Sequence, residues 1–185
     1  FGAWAGRMAS GGAGNFYQEG YFCDYPPAYM LVLWLLGVIG NLLGMSTGSI
    51  GFQALMKMVP IACDLALAAV CYAAAKKKFG NGVSLAVAAI LALNPAFIVT
   101  GSCWGQIDSV LALLLVLMLL NAREGQWTIA IPIFALAVLA KPQAGLLVPL
   151  GVAALMKEAK LGGHRGKSIV LGLLGGAAVT LAIVL

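Results

Sequence analysis

Charge is the scarcest property of this sequence. Its 11 Lys and Arg and 6 Asp and Glu make up 9% of 185 residues, where a soluble domain carries roughly a quarter. An ordinary soluble domain is thereby excluded. There is one histidine, His164, and no cluster of carboxylates, so the residues indicate no metal site and no cofactor. The four cysteines show no CxxC spacing, which argues against a disulfide scaffold or a thiolate metal site. Cys63 and Cys71 sit within an apolar run and read as packing residues. Cys23 and Cys103 flank polar motifs and could pair in an oxidising compartment.

What the sequence has in abundance is apolar surface. It is 62% hydrophobic with 24 glycines, and its mean hydropathy is +1.00. That composition, with apolar runs separated by short basic clusters, predicts an all-α polytopic transmembrane helical bundle. The net charge of +5 does not point to nucleic acid, because the cations lie in the inter-helix loops instead of sharing a face with aromatics.

The apolar segments are 28–45, 52–75, 83–101, 109–122, 127–140, 142–156 and 168 onward. A spanning helix needs roughly 20 residues, so several are short. Upstream, residues 1–27 are Gly-rich and hold Trp4, Phe16, Tyr17, Tyr21, Phe22 and Tyr25 beside Glu19 and Asp24. We expect an ordered segment outside the membrane or at its interface. Eight of the 11 basic residues (Lys76, Lys77, Lys78, Arg123, Lys157, Lys160, Arg165 and Lys167) fall in three alternate loops. Positive charge marks cytoplasmic loops, so the connections 102–108 and 141–143 are expected outside. The same counting favours an interfacial helix over 28–45, entered through Pro26 and Pro27, with a spanning helix as the alternative. The expected organisation is an external segment with an interfacial helix over 1–51, then a bundle of about six helices over 52–185. Because the sequence opens on Phe1 and stops at Leu185 inside an apolar run, we expect it to be part of a longer chain, incomplete at the C-terminus.

Polar residues in such a chain are expensive and tend to face a cavity or a partner. Lys57 and Asp64 are seven residues apart on one helix, hence on one face and roughly 10 Å apart along the axis. Lys57 either snorkels or meets an anion, while Asp64 suits a hydrogen-bond acceptor inside the bundle. Asn94-Pro95 should break the next helix. The turn Trp104-Gly105-Gln106-Ile107-Asp108-Ser109 then gathers an indole, an amide, a carboxylate and a hydroxyl. Trp104 could be an interface-belt residue and Asp108-Ser109 a helix cap. The short run that follows instead pulls the turn below the membrane surface, into a protein-lined cavity. Lys141-Pro142-Gln143 lies between two short runs and is drawn inward in the same way; a snorkelling lysine at a proline turn is the alternative. Asp24, Lys57, Trp104, Gln106, Asp108, Lys141 and Gln143 are thus expected on one side. Cations suit a phosphate, carboxylates and amides suit hydroxyls, and rings suit a sugar face or a prenyl tail. A lipid-linked sugar phosphate fits that mixture. A secondary transporter, which would show repeat symmetry between halves, and a non-catalytic membrane subunit are the competing readings.

These stretches resemble the GT-C superfamily of membrane glycosyltransferases that use polyprenyl-phosphate sugars. They are similar in particular to bacterial relatives of the second mannosyltransferase of GPI-anchor assembly and to the dolichyl-phosphate-glucose glucosyltransferases. The resemblance is carried by Asp24-Tyr25-Pro26-Pro27, Lys57-Met58-Val59-Pro60 with Asp64-Leu65, Asn94-Pro95 leading into Trp104-Gly105-Gln106-Ile107-Asp108-Ser109, and Lys141-Pro142-Gln143 followed by Pro149. It implies inverting transfer of a mannose- or glucose-type hexose from a polyprenyl-phosphate donor to a lipid- or envelope-linked acceptor, at the external face of a bacterial plasma membrane. By this likeness Tyr25, Lys57, Trp104, Gln106, Asp108, Lys141 and Gln143 would bind substrate and Asp24 would be a catalytic candidate. The family's base is an acidic residue several positions before the stretch corresponding to Phe1-Gly2-Ala3-Trp4, which places it upstream of Phe1.

Overall fold

The computed structural model describes residues 1–18, 20–160 and 165–185. Glu19 and His164 lie outside the described residues. The protein is all-α, without strands among those residues. Among the described residues three helical stretches are long and apolar enough to cross a membrane, Ile50–Lys76, Asn81–Trp104 and Gly166–Val184, while Pro27–Leu42 and Trp127–Ala140 are apolar but shorter. Leu65, Leu85, Leu174 and Leu181 are exposed, a surface that suits lipid and would be a liability in water. The chain divides into two units, one of Phe1–Cys23 with Met30–Leu113 and one of Asp24–Tyr29 with Leu114–Leu185.

The first unit opens with a helix, α1 (Gly2–Gly11), and a 3-10 turn, Ala13–Asn15, in the stretch marked above only as ordered. Its three glycines are poor helix formers; burial of Ala5 and Met8 compensates. Trp4 meets Phe1 and Phe16 edge to face, with centroids 5.6 and 6.4 Å apart. Arg7 stacks over Tyr21 at 3.8 Å, and its Nη2 donates to Gln18 Oε1 at 3.0 Å. Helix α2 (Pro27–Leu42) starts at a proline, whose missing N–H costs nothing at that position. Gly37 lets α2 approach the Ala5 carbonyl so closely that a Cβ would collide with it. Ser49 caps α3 (Ile50–Lys76), accepting from Phe52 N at 3.2 Å. A short loop leads to α4 (Asn81–Ala92). The break expected at Asn94-Pro95 is present: Asn94 Oδ1 accepts from Ala96 N at 2.9 Å and caps the short α5 (Pro95–Phe97), which continues as a π-helix, Ile98–Trp104. Cys23 and Cys103 are free thiols, so the pairing allowed by the sequence is not formed; Cys23 Sγ instead lies 3.9 Å from Met30 Sδ.

Helix α6 (Asp108–Arg123) runs from the first unit into the second, which continues with α7 (Trp127–Ala140), a 3-10 helix Pro142–Leu147, α8 (Val148–Lys160) and α9 (Arg165–Val184). The tightest pairing is α7 on α9. Gly172 abuts the Trp127 carbonyl, and Gly175 and Gly176 fit against Pro132 and Ile131. Small residues at a helix interface are how apolar helices gain contact where the hydrophobic effect is absent. Thr128 N donates to Ser168 Oγ at 3.2 Å and Thr128 Oγ1 to the Ser168 carbonyl at 3.3 Å, fixing the register.

Candidate active site

The turn predicted from Trp104 to Ser109 belongs to the first unit, and α3 supports it. The expectation that Lys57 and Asp64 share a face is met, since both address this turn. Lys57 Nζ donates to the Cys103 carbonyl at 2.9 Å. Carbonyls at a helix end lack intrahelical donors, and a charged donor is a strong partner for one. Asp64 Oδ1 accepts from Ser109 Oγ at 2.5 Å, the acceptor role its depth in the helix suggested. Gly105 adopts φ 79°, a left-handed conformation that favours glycine, and reverses the chain between the π-helix and α6. Gln106 N closes the turn on the Thr100 carbonyl at 2.9 Å. Ile107 and Ser109 are buried, Gln106 and Asp108 half-buried, and Trp104 is 75% exposed, leaving its ring face open to a ligand.

The second unit holds a cleft of about 520 Å³ lined by Asp24, Tyr25, Lys141, Pro142, Gln143, Gly145 and Leu146. The Asp24-Tyr25 and Lys141-Pro142-Gln143 motifs, remote in sequence, therefore line one cavity. Its volume lies in the range of small-molecule sites. Lys141 ends α7 in an extended conformation, φ −153° and ψ 123°, and Pro142 opens the 3-10 helix that follows. Lys141 N donates to the Ala137 carbonyl at 2.9 Å, and Ala144 N to the Lys141 carbonyl at 3.1 Å, so backbone bonds on both sides set where the lysine stands. A cation, a carboxylate, a phenol and an amide face one space, enough to hold an anion and several hydroxyls.

Eight candidate residues therefore fall into two groups. Lys57, Trp104, Gln106 and Asp108 belong to the first unit; Asp24, Tyr25, Lys141 and Gln143 belong to the second. Sequence reasoning missed Ser109 as the partner of Asp64, because a serine beside an aspartate at a helix start looks like an ordinary cap. It also missed Gly101, where a Cβ would stand 2.7 Å from Asp64 Oδ2. Among the described residues no group of three or more His, Cys, Asp or Glu could hold a metal.

A family model described as dolichyl-phosphate-mannose-protein mannosyltransferase matches residues 24–185. The chain belongs to that family. This mannosyltransferase family is of the GT-C type, so the resemblance read from the motifs holds at superfamily level, and the protein is an integral membrane glycosyltransferase of mannosyltransferase type. The matched region begins at Asp24 and takes in every candidate site residue. No curated protein and no solved structure matches the chain.

Proposed function

We propose that the protein transfers a hexose of mannose or glucose type from a polyprenyl-phosphate donor to a lipid- or envelope-linked hydroxyl, with inversion, at the external face of the membrane. The observation that carries this reading is the cleft that places Lys141 and Gln143 with Asp24 and Tyr25 in a mannosyltransferase-family chain. In such a transfer the acceptor oxygen attacks the anomeric carbon from the side opposite the phosphate. The C1–O bond to the phosphate breaks, its electron pair leaves with the phosphate, and the acceptor proton goes to a base. Negative charge grows on the departing phosphate, where the Lys141 ammonium stabilises the transition state more than the ground state. Gln143 and Tyr25 offer hydrogen bonds to sugar hydroxyls, and Asp24 is the carboxylate in this cleft suited to take the acceptor's proton. The exposed Trp104 ring suits the apolar face of a sugar or a prenyl unit.

Purified intact protein in proteoliposomes, given a radiolabelled hexose on a synthetic polyprenyl phosphate, tests the reading. We expect label in a lipid or glycan product. Transfer from a nucleotide sugar but not from the polyprenyl phosphate would overturn it.

A further inference from the structure

The turn at 98–109 adopts an uncommon conformation, a π-helix followed by a left-handed glycine. A π-helix is rare beyond a single turn, and π segments cluster at functional sites; this one, Ile98–Trp104, is seven residues long and is followed by left-handed Gly105. Support comes from one face of α3. Lys57 holds the crest: its Nζ bonds the Cys103 carbonyl, and its stem passes Gly105, where a Cβ would stand 3.7 Å from Lys57 Cγ. Two helical turns further on, Asp64 holds the base. One carboxylate oxygen takes the Ser109 hydroxyl on the outgoing limb at 2.5 Å. The other faces the incoming limb at buried Gly101, where a Cβ would stand 2.7 Å from it and force the carboxylate to shift.

We infer that Asp64 and Ser109 are positioning residues that, with Lys57, clamp this turn so that Trp104, Gln106 and Asp108 keep one arrangement. The carboxylate joins the limbs and the ammonium fixes the crest, so neither alone defines the turn. Gly101 is part of the device, because any side chain there displaces Asp64. The consequence for turnover rests on the glycosyltransfer proposed above; the clamp itself rests on the geometry of the first unit.

Two readouts on the intact protein separate these claims. With Cys23, Cys63 and Cys71 replaced by alanine and a nitroxide on the exposed Cys103, the parent is expected to give a broad, immobilised EPR line. Ser109→Ala and Gly101→Ala should each add a narrow, mobile component, and Ser109→Thr, which keeps the hydroxyl, should restore the broad line. In the transfer assay, Ser109→Ala should lower kcat per folded molecule about 10²-fold, the scale of a 1 Å misplacement. Donor KM should change much less than kcat, since the cleft residues Asp24, Tyr25, Lys141 and Gln143 are not part of this turn. Ser109→Thr should regain most of the rate. An EPR line unchanged by both Ser109→Ala and Gly101→Ala overturns the clamp, as does parental kcat in Ser109→Ala. If the line responds as described while even the parent transfers no sugar, the clamp stands and the glycosyltransfer reading fails.

Discussion

Two carboxylates with different surroundings illustrate how residue type and role part company in this chain. Asp64 accepts the Ser109 hydroxyl on one oxygen and lies close against Gly101 with the other, so its contacts are made within the protein. Asp24 is exposed and lines a cleft, so its oxygens are available to a ligand. As proton acceptor for the attacking hydroxyl, Asp24 would contribute the 10²- to 10⁴-fold typical of general bases. Asp24→Asn keeps shape and hydrogen bonding but not basicity. We expect kcat to fall at least about 10²-fold with the protein still folded, as measured by transfer rate per monodisperse molecule. A parental rate would move the proton to another base. The same contrast holds for the lysines. Lys57, expected either to snorkel or to meet an anion, places its ammonium on the Cys103 carbonyl, while Lys141 lines the cleft.

At the scale of elements, apolar helices in a membrane are held by close approach and a few polar contacts. The α7–α9 pair concentrates both: glycines face the Trp127 carbonyl, Pro132 and Ile131, and Thr128 bonds Ser168. Gly172→Ala would drive a Cβ into a backbone oxygen, which cannot rotate away, so the helices must separate. We expect a loss of about 1–3 kcal/mol, the usual cost of overpacking, read as a lower temperature for losing the monodisperse chromatographic peak. Gly151→Ala is the control. It sits within α8 with nothing within 4 Å of its added Cβ, so helix propensity should raise stability by about 0.5–1 kcal/mol. Equal shifts in the two variants would show that the α7–α9 approach is not a stability determinant.

Most of these elements were legible in the sequence. The apolar runs located α2 to α4 and α6 to α9, because periodicity matters less than length and polarity when the whole surface is apolar. Asn94-Pro95 announced its break through the chemistry of proline. Helix α1 was not legible: its glycines argue against a helix, and the aromatic packing and the Arg7–Tyr21 stack that outweigh them are tertiary. The π-helix carries no sequence signature, and the partnership of Asp64 with Ser109 spans 45 positions. The candidate residues stood out as motifs, but their grouping, with Asp24 and Tyr25 beside Lys141 and Gln143 in one cavity, is a product of folding.

For the whole molecule, the distribution of charge makes the boldest claim. Lys76 closes α3, Arg123 closes α6 and Lys157 lies in the last turn of α8, so the helices we read as running inward end in cations. Helices of 16 and 14 residues, α6 and α7, span only about 24 and 21 Å against a hydrocarbon core of about 30 Å. The connections at 104–108 and 141–143 would therefore sit below the outer surface. Single cysteines at 77 and 104, labelled in intact cells with a membrane-impermeant maleimide, should react at 104 and stay silent at 77 until the cells are permeabilised. Reaction at 77 from outside would invert the orientation. The central claim is that Lys141, in its cleft, stabilises a departing phosphate. Its most direct test compares Lys141→Ala with Lys76→Ala in proteoliposomes supplied with a polyprenyl-phosphate-linked sugar. We predict about 10²-fold lower kcat for Lys141→Ala, the scale of a lost electrostatic donor, and an unchanged kcat for Lys76→Ala in correctly inserted protein. A Lys141→Ala enzyme that turns over at the parental rate would contradict the account.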